Sequence, residues 1–527
     1  SCQTATPFFI LQKIKLYYMK KYTNQIEKKI NEKWLSEKTY KSIPDDRKPY
    51  SIIMPPPNIT GQLHLGHILN NTLQDILIRR KRQLGYNTCW IPGIDHASIA
   101  TEAKISQWLI ENNIDKNSLT RDEFLKYCWD WKNKYGGIII EQLKLCGFAC
   151  DWDRLSFTMD DYHTNMIYEI YDRLKSDGIL YKGKKEMAYD TKAKTYLSDS
   201  EIYEKNGKYY SERTNSLIEF KETEQLFLDM KKLSEPAINK INKEIDLIPN
   251  SALNSYMSWF TEIKDWCISR QLIWGHKILD DEGTFDTWFS SWLCAITAFK
   301  TKEDKEYYGT TDIIITGQDI AYFWIAKMIM ANDYYDDSIP FKKIYFTGIM
   351  RDKDGKKISK QFNNSPDIIK LIEEHGADSL RFSTIINHQP GLDCKWTMDQ
   401  LMQGKRFCNK IWNINKLINS WQASDIEFND EQKNAHNEWE QILNTSIENY
   451  SKLLDEDLKF SEALLLTYNL IWEDLSSKLL EKIKPEMGIW PYMNSNMLSK
   501  IKSDFKKCLN LLEPFMPFIC NYIISDE

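Results

Sequence analysis

Residues 50–85, YSIIMPPPNITGQLHLGHILNNTLQDILIRRKRQLG, restrict the fold more than any other stretch of this chain. The apolar run ending at Met54 is stopped by Pro55, Pro56 and Pro57, because proline has no N–H to give to a sheet ladder, so a strand is predicted to end there. Beyond it, Leu65, Ile68, Leu69, Leu73, Ile76 and Leu77 recur at the spacing of one helix face, and Gly85 supplies a stop. Strand, tight turn and helix in that order make a nucleotide-binding corner.

His64 and His67 stand three apart at the helix start. Both imidazoles therefore share a face beside backbone N–H groups that the helix leaves unpaired, at the positive end of its dipole, where a polyphosphate settles. Gly66 costs about 1 kcal/mol relative to alanine inside a helix, a cost that makes sense if a flat ligand lies against the backbone. Taken alone, HLGH fits an ordinary amphipathic helix after a proline-rich turn equally well.

HLGH after PPPNITG resembles the HIGH signature of class I aminoacyl-tRNA synthetases. Together with WIPGIDHASIAT at residues 90–101 it is similar to the valyl-tRNA synthetases in particular. The resemblance implies that His64 and His67 are catalytic, that Thr60, Gly66 and Asn70 bind ATP, and that Pro55, Pro56 and Asn58 line a valine site. Asp95 follows the strand predicted at residues 87–91. A carboxylate there is placed for a substrate ammonium, or equally for capping a helix that begins near Ala97; the resemblance favours the amino group of valine. Ser98 replaces a glycine usual in the family and is expected to crowd the site.

Further along, SDSEIYE within residues 183–204 resembles the family block that opens an inserted editing domain. KNGKYYS then leads directly to ERTNSLIEF, which resembles the returning strand. Asn206-Gly207 suits a two-residue hairpin turn, so two short strands are expected to stand where relatives carry a hydrolytic domain. DWCISRQLIWGH at residues 265–276 resembles the return to the catalytic fold. Trp288, Trp324 and Ile320 match family residues that wall the valine side chain, although a tryptophan in an apolar run is by itself more often core.

Residues 313–316 and 344–346 are suited to buried parallel strands. The first ends at Gly317, whose lack of a side chain admits close approach to the backbone, and Asp319, placed for ribose hydroxyls. The second leads to RDKDGKKISKQFNNSPD, where Lys356, Lys357 and Lys360 crowd a loop ahead of a helix predicted to be capped at Ser365 with Pro366 in its first turn. Such a cluster is usually solvated surface. KISK, however, resembles the KMSKS signature, which implies catalytic roles for Lys357 and Lys360; Gln361 and Asn363 depart from that pattern.

The expected fold is therefore a Rossmann-type parallel α/β sheet followed, from Thr397, by an all-α anticodon-binding bundle. The division reads as a leader and helix at 1–48, the first catalytic half at 49–182, an insertion remnant at 183–257, the second half at 258–396 and the bundle at 397–527. The segment 1–18 precedes the family's usual start at Met19, and the C-terminal coiled coil of relatives is expected to be missing. By resemblance the chain is a valine–tRNA ligase using ATP and Mg²⁺, with tRNA-Val and valine as partners. An isoleucyl-type enzyme and a non-catalytic tRNA-binding remnant remain alternatives.

Composition fits this reading. A chain of 527 residues with 42% hydrophobic residues buries several cores, and a formal charge of −6 argues against attachment to nucleic acid by bulk charge. Absence of an apolar run of 18 residues predicts no membrane span. The eleven cysteines include no CxxC pair; Cys146 and Cys150 read as core thiols, no metal site is expected, and a reducing, cytoplasmic location and a monomer are.

Overall fold

The computed structural model describes residues 22–198, 201–212, 214–279, 281–358, 364–485 and 489–525. Its centre is a parallel sheet. Strand β1 (Pro49–Ile53) leads through helix α1 (Leu65–Gln83) to β2 (Asn87–Ile91), which pairs with β1 in parallel register, Ile52 opposite Trp90. On the other side of β1 the Ile52–Ile313 bridge brings in β4 (Ile314–Gly317), which pairs with β5 (Lys343–Thr347), and β5 with β3 (Asp246–Ile248). The spatial order is β2-β1-β4-β5-β3, all parallel.

Strand alternation sorts the core. Ile52, Ile313, Ile315 and Tyr345 point to one face, against α1 and the C-terminal helices; Ile53, Ile314, Ile344 and Phe346 point to the other, against Met230–Glu244 and Ala326–Asp336. Leaving β1, the chain turns toward β2, whereas β4 lies on the opposite side. The crevice beyond the carboxyl ends of β1 and β4 is thus a topological switch point, the place where such sheets bind ligands.

Residues 183–257 were read as an insertion remnant, but the chain rejoins the parallel sheet earlier, through the helix Met230–Glu244 and β3. A three-residue strand carries too little alternation to be seen in sequence. The remainder of the segment is a ribbon in which Leu180–Asp190 pairs antiparallel with Ile218–Leu228, and between them Ile202–Lys205 and Lys208–Ser211 form the expected hairpin. Its turn is Asn206-Gly207 with φ of 53° and 71°, the positive values that a tight two-residue hairpin demands.

The C-terminal region is helical from Met398–Ser420 onward, with one short parallel pair, Gln422–Ser424 beside Tyr492–Asn494, added to the expected all-α bundle. Buried ions join it to α1. Asp75 Oδ2 accepts from Arg79 Nε at 2.7 Å and forms an ion pair with Arg381 Nη2 at 2.6 Å, while Arg79 Nη1 reaches Glu513 at 2.9 Å. Removing one partner of such a cluster costs about 3–5 kcal/mol, so the helix that begins at the histidines is held firmly at its far end. Cys146 and Cys150 are buried core thiols, and no described helix is long and apolar enough to cross a membrane.

Candidate active site

The corner after β1 forms as its sequence predicts. His64 caps α1: its Nδ1 accepts the Gly66 N–H at 3.1 Å, and His67 Nδ1 accepts the His64 N–H at 3.2 Å. Both partners are backbone donors, so both Nδ1 atoms are acceptors, and the proton of each neutral ring is assigned to Nε2. The rings lie 3.8 Å apart between centroids. The open backbone N–H groups expected at this helix start are therefore partly taken by the imidazoles, which offer their own N–H in exchange. Gly66 has a further reason to be glycine, since a Cβ there would stand 3.0 Å from His64 Cε1. Asn70 donates to the Ile315 carbonyl at 2.9 Å and accepts from Gln74 at 2.6 Å; its amide pins α1 to β4. Thr60 is half-buried in the turn before the helix.

Three segments are tied to the turn that holds Asp95, the third of them through the second. The proline loop pairs with it through the Asn58–Asp95 bridge, with the Ile59 N–H donating to the Asp95 carbonyl at 3.0 Å. Pro55 and Pro56 are half-buried in that loop, and Asn58 is exposed. The Ser98 N–H donates to Thr287 Oγ1 at 2.8 Å, which sets Trp288 beside the Asp95 turn, and Trp324 Nε1 donates to the Ser291 carbonyl at 3.0 Å. Trp324 is buried; Trp288 and Ile320 are half-buried. Trp324 lies in a single π-helical turn, Ala321–Ile325, a distortion common at functional sites.

Asp95 itself is buried, and Oδ1 accepts the Ala97 N–H at 2.6 Å; this closes the turn before the helix Ser98–Glu111 but does not cap it, because Ala97 is the N-cap and the helix has no side-chain cap bond. Burial pushes its carboxyl up to about 7, with Asp286 adding to the rise. His96 stands 3.7 Å away but burial drives its imidazole down to about 3, so it gives Asp95 no positive charge. Ser98, expected to crowd the site, turns its hydroxyl to His96 Nε2 at 3.0 Å.

At the end of β4, a Cβ on Gly317 would lie 2.5 Å from Asp319 Oδ1, so this glycine makes room for the chain's own carboxylate. Lys357 Nζ approaches Asp319 Oδ2 at 3.7 Å, with both side chains about half exposed. Below it, Asp352 accepts from the Lys356 N–H at 2.9 Å and from Asn364 Nδ2 at 2.8 Å, closing the stem of the lysine loop. Lys360, Gln361 and Asn363 lie outside the described residues. The following helix, Ile368–His375, is capped by Asp367 instead of Ser365, because the Asp367 carboxylate reaches the Lys370 N–H at 3.2 Å; Pro366 precedes the cap.

A valine–tRNA ligase of Bacteroides fragilis is 33% identical over an alignment of 685 residues that covers 94% of this chain and 78% of that protein. The chain belongs to the valine–tRNA ligase family. A second ligase of the same name, from Christiangramia forsetii, is 32% identical over 95% of this chain and 78% of its own length. The family "tRNA synthetases class I (I, L, M and V)" matches residues 29–280 and 278–397, and "Anticodon-binding domain of tRNA ligase" matches 437–527. In fold the chain is similar to Mycobacterium tuberculosis methionyl-tRNA synthetase bound by methionyl-adenylate, with TM-score 0.71, 16% identity and coverage of 91% and 94% of the two chains. The agnB2 LeuRS of Agrobacterium radiobacter, in a ternary complex with tRNA and LeuAMS, gives TM-score 0.73 at 13% identity, covering 95% and 88%. The alignment with the Bacteroides ligase is longer than this 527-residue chain, as it must be if that family member carries internal sequence missing here.

The sequence reading did not single out His96, Glu201, Arg270, Asp286 and Lys327, all of which are buried. The charge pairs and ring contact that join Glu201 to Arg270, Arg270 to Asp286 and Lys327 to Trp266 link separate segments of the chain, so no local spacing marks them.

Proposed function

We propose that the chain joins valine to tRNA-Val in the crevice between β1 and β4. The valine carboxylate attacks the α-phosphorus of ATP, pyrophosphate leaves, and the valyl-adenylate then passes its acyl group to the 2′-hydroxyl of the terminal adenosine of tRNA, releasing AMP. The carrying observation is Asp95: a buried carboxylate, pushed up to about 7, in a turn that the Ser98 N–H ties to Thr287 of the helix carrying Trp288, with no charged cation against it among the described residues. A substrate ammonium is the group that such a site lacks.

An ionised substrate carboxylate needs no general base, so the rate rests on in-line placement and on stabilising charge that grows on the phosphates. His64 and His67 donate from Nε2 at the helix start, and Lys357 and Lys360 donate from the loop. Asp319 takes the ribose hydroxyls once Lys357 turns to phosphate. Magnesium brought in with the triphosphate would neutralise part of the phosphate charge there. Every group named comes from one chain, which suits a monomer, and unpaired buried thiols suit a reducing, cytosol-like compartment. Valine-dependent ATP–pyrophosphate exchange, followed by charging of tRNA-Val, tests the reading. Exchange driven best by isoleucine, or none with any amino acid, refutes it.

The same reading includes an unedited product. Valine and threonine are nearly isosteric, and an apolar pocket rejects the added hydroxyl by only about 10², a general figure for valine sites facing threonine and not one obtained from this structure. Where the sequence resemblance places an editing domain, Lys205 and Lys208 are joined by two turn residues. The chain therefore threonylates tRNA-Val and does not hydrolyse the product. Rapid deacylation of preformed Thr-tRNA-Val by the purified protein is the outcome that sinks this part.

A further inference from the structure

Behind the pocket wall lies a buried cluster of charges that the two-step reaction leaves unused. Glu201, Arg270, Asp286 and Lys327 each expose less than a tenth of their surface. Arg270 Nη2 stands between two carboxylates, 3.0 Å from Glu201 Oε2 and 3.1 Å from Asp286 Oδ2, while Nη1 donates to the carbonyls of Cys267 and Ser269 at 2.9 Å each. Asp286 Oδ2 also accepts from Trp266 Nε1 at 2.8 Å, and Oδ1 accepts the Trp288 N–H at 3.3 Å. Lys327 Nζ lies 3.5 Å from the centroid of the Trp266 ring, three residues after Trp324 and hence on the same helix side.

The origins of these residues give the cluster its meaning. Asp286 caps the short helix Thr287–Ser291 that carries Trp288. Glu201 belongs to the short connection, immediately before the hairpin strand Ile202–Lys205, where the Ser198 N–H and hydroxyl hold its Oε2 at 2.8 and 2.9 Å. A guanidinium held between two anions in a poorly polarisable interior is set by both. Weakening one carboxylate shifts the cation toward the other, and here the other is the cap of the Trp288 helix. We propose that Glu201 is a positioning residue for the amino-acid pocket: through Arg270 and Asp286 it fixes where Trp288 stands, and with it the fit to the valine side chain. The proposal rests on the valine-activating reading above. It makes the short connection part of the machinery that selects the substrate.

The test is pyrophosphate exchange with the full chain, varying valine and ATP separately. Glu201→Gln is expected to raise KM for valine about tenfold while kcat and KM for ATP stay within about twofold, and Glu201→Asp to recover much of the loss. An unchanged KM for valine in Glu201→Gln overturns the proposal, as does a rise in KM for valine and ATP together with a fall in kcat, the signature of general disruption. If Glu201→Gln does not fold, Ser198→Ala removes a single donor to Glu201 and is expected to raise KM for valine by about two- to threefold. No change there also overturns it. A parent protein inactive with valine refutes the functional reading and this inference together, whereas an active parent with insensitive variants refutes the inference alone.

Discussion

The two sides of the crevice are built differently. On the amino-acid side, Asp95, Asp286, Arg270 and Trp324 are buried and each is held by the fold: Asp95 by the Ala97 N–H, Asp286 by Trp266 and Arg270, and Trp324 by the Ser291 carbonyl. On the phosphate side, Lys357 and Asp319 are about half exposed and meet at 3.7 Å, a loose ion pair worth under about 1 kcal/mol. The difference follows from what each side must do. Telling one small aliphatic side chain from another needs a wall that cannot move, because a gap of a fraction of an ångström already forfeits contact. Stabilising charge that appears only in the transition state needs cations that can follow the phosphates, and lysines on a loop can.

Substitutions sharpen or break that contrast. The largest expected effect is Lys360→Ala, which should lower kcat for adenylation by about 10²–10³ with KM for valine nearly unchanged, since only charge developing on the phosphates is affected. A matching rise in KM for valine would show that the loop also serves the pocket. Next comes Asp95→Asn, expected to raise KM for valine by about 10² and to leave KM for ATP alone, because a buried ammonium loses its charged partner. Unaltered valine affinity would remove Asp95 from the site.

The pH profile carries a smaller effect of defined sign. Valine binds to ionised Asp95, and burial pushes that carboxyl up to about 7, so protons compete with the ammonium below neutrality. Apparent KM for valine should therefore rise as pH falls through 7, by about tenfold at pH 6, while valine stays positively charged throughout. A flat profile between pH 6 and 8 in initial-rate measurements contradicts this. Least of all, Asp319→Asn should change the unfolding free energy by less than about 1 kcal/mol in a denaturant titration. A loss several times larger would mean that the phosphate side is as rigidly tied as the pocket.

Much of the catalytic corner could be read before any coordinates existed. The proline stop, the 3.6-residue apolar spacing and the Asn206-Gly207 turn are local signals, and β1, α1 and the hairpin appear within a residue or two of where those signals put them. The cap expected at Ser365 stands two residues later, at Asp367, since both are competent caps and only the path of the chain selects between them. The short strand Asp246–Ile248 was invisible for a different reason: three residues hold no period.

The amino-acid sequence by itself determined which residues could carry charge and where the chain must turn: His64, His67, Asp95, Lys357, the prolines and the glycines. Tertiary structure alone decided what those charges meet. It turned the two imidazoles so that backbone donors hold their Nδ1 atoms, buried Asp95 so that its carboxyl is pushed up, and threaded Arg270 between Glu201 and Asp286. Local preference acts over a few residues along the chain. Burial and charge pairing depend on neighbours in space, here 434 residues apart where Arg79 meets Glu513, and no pattern within one segment encodes them.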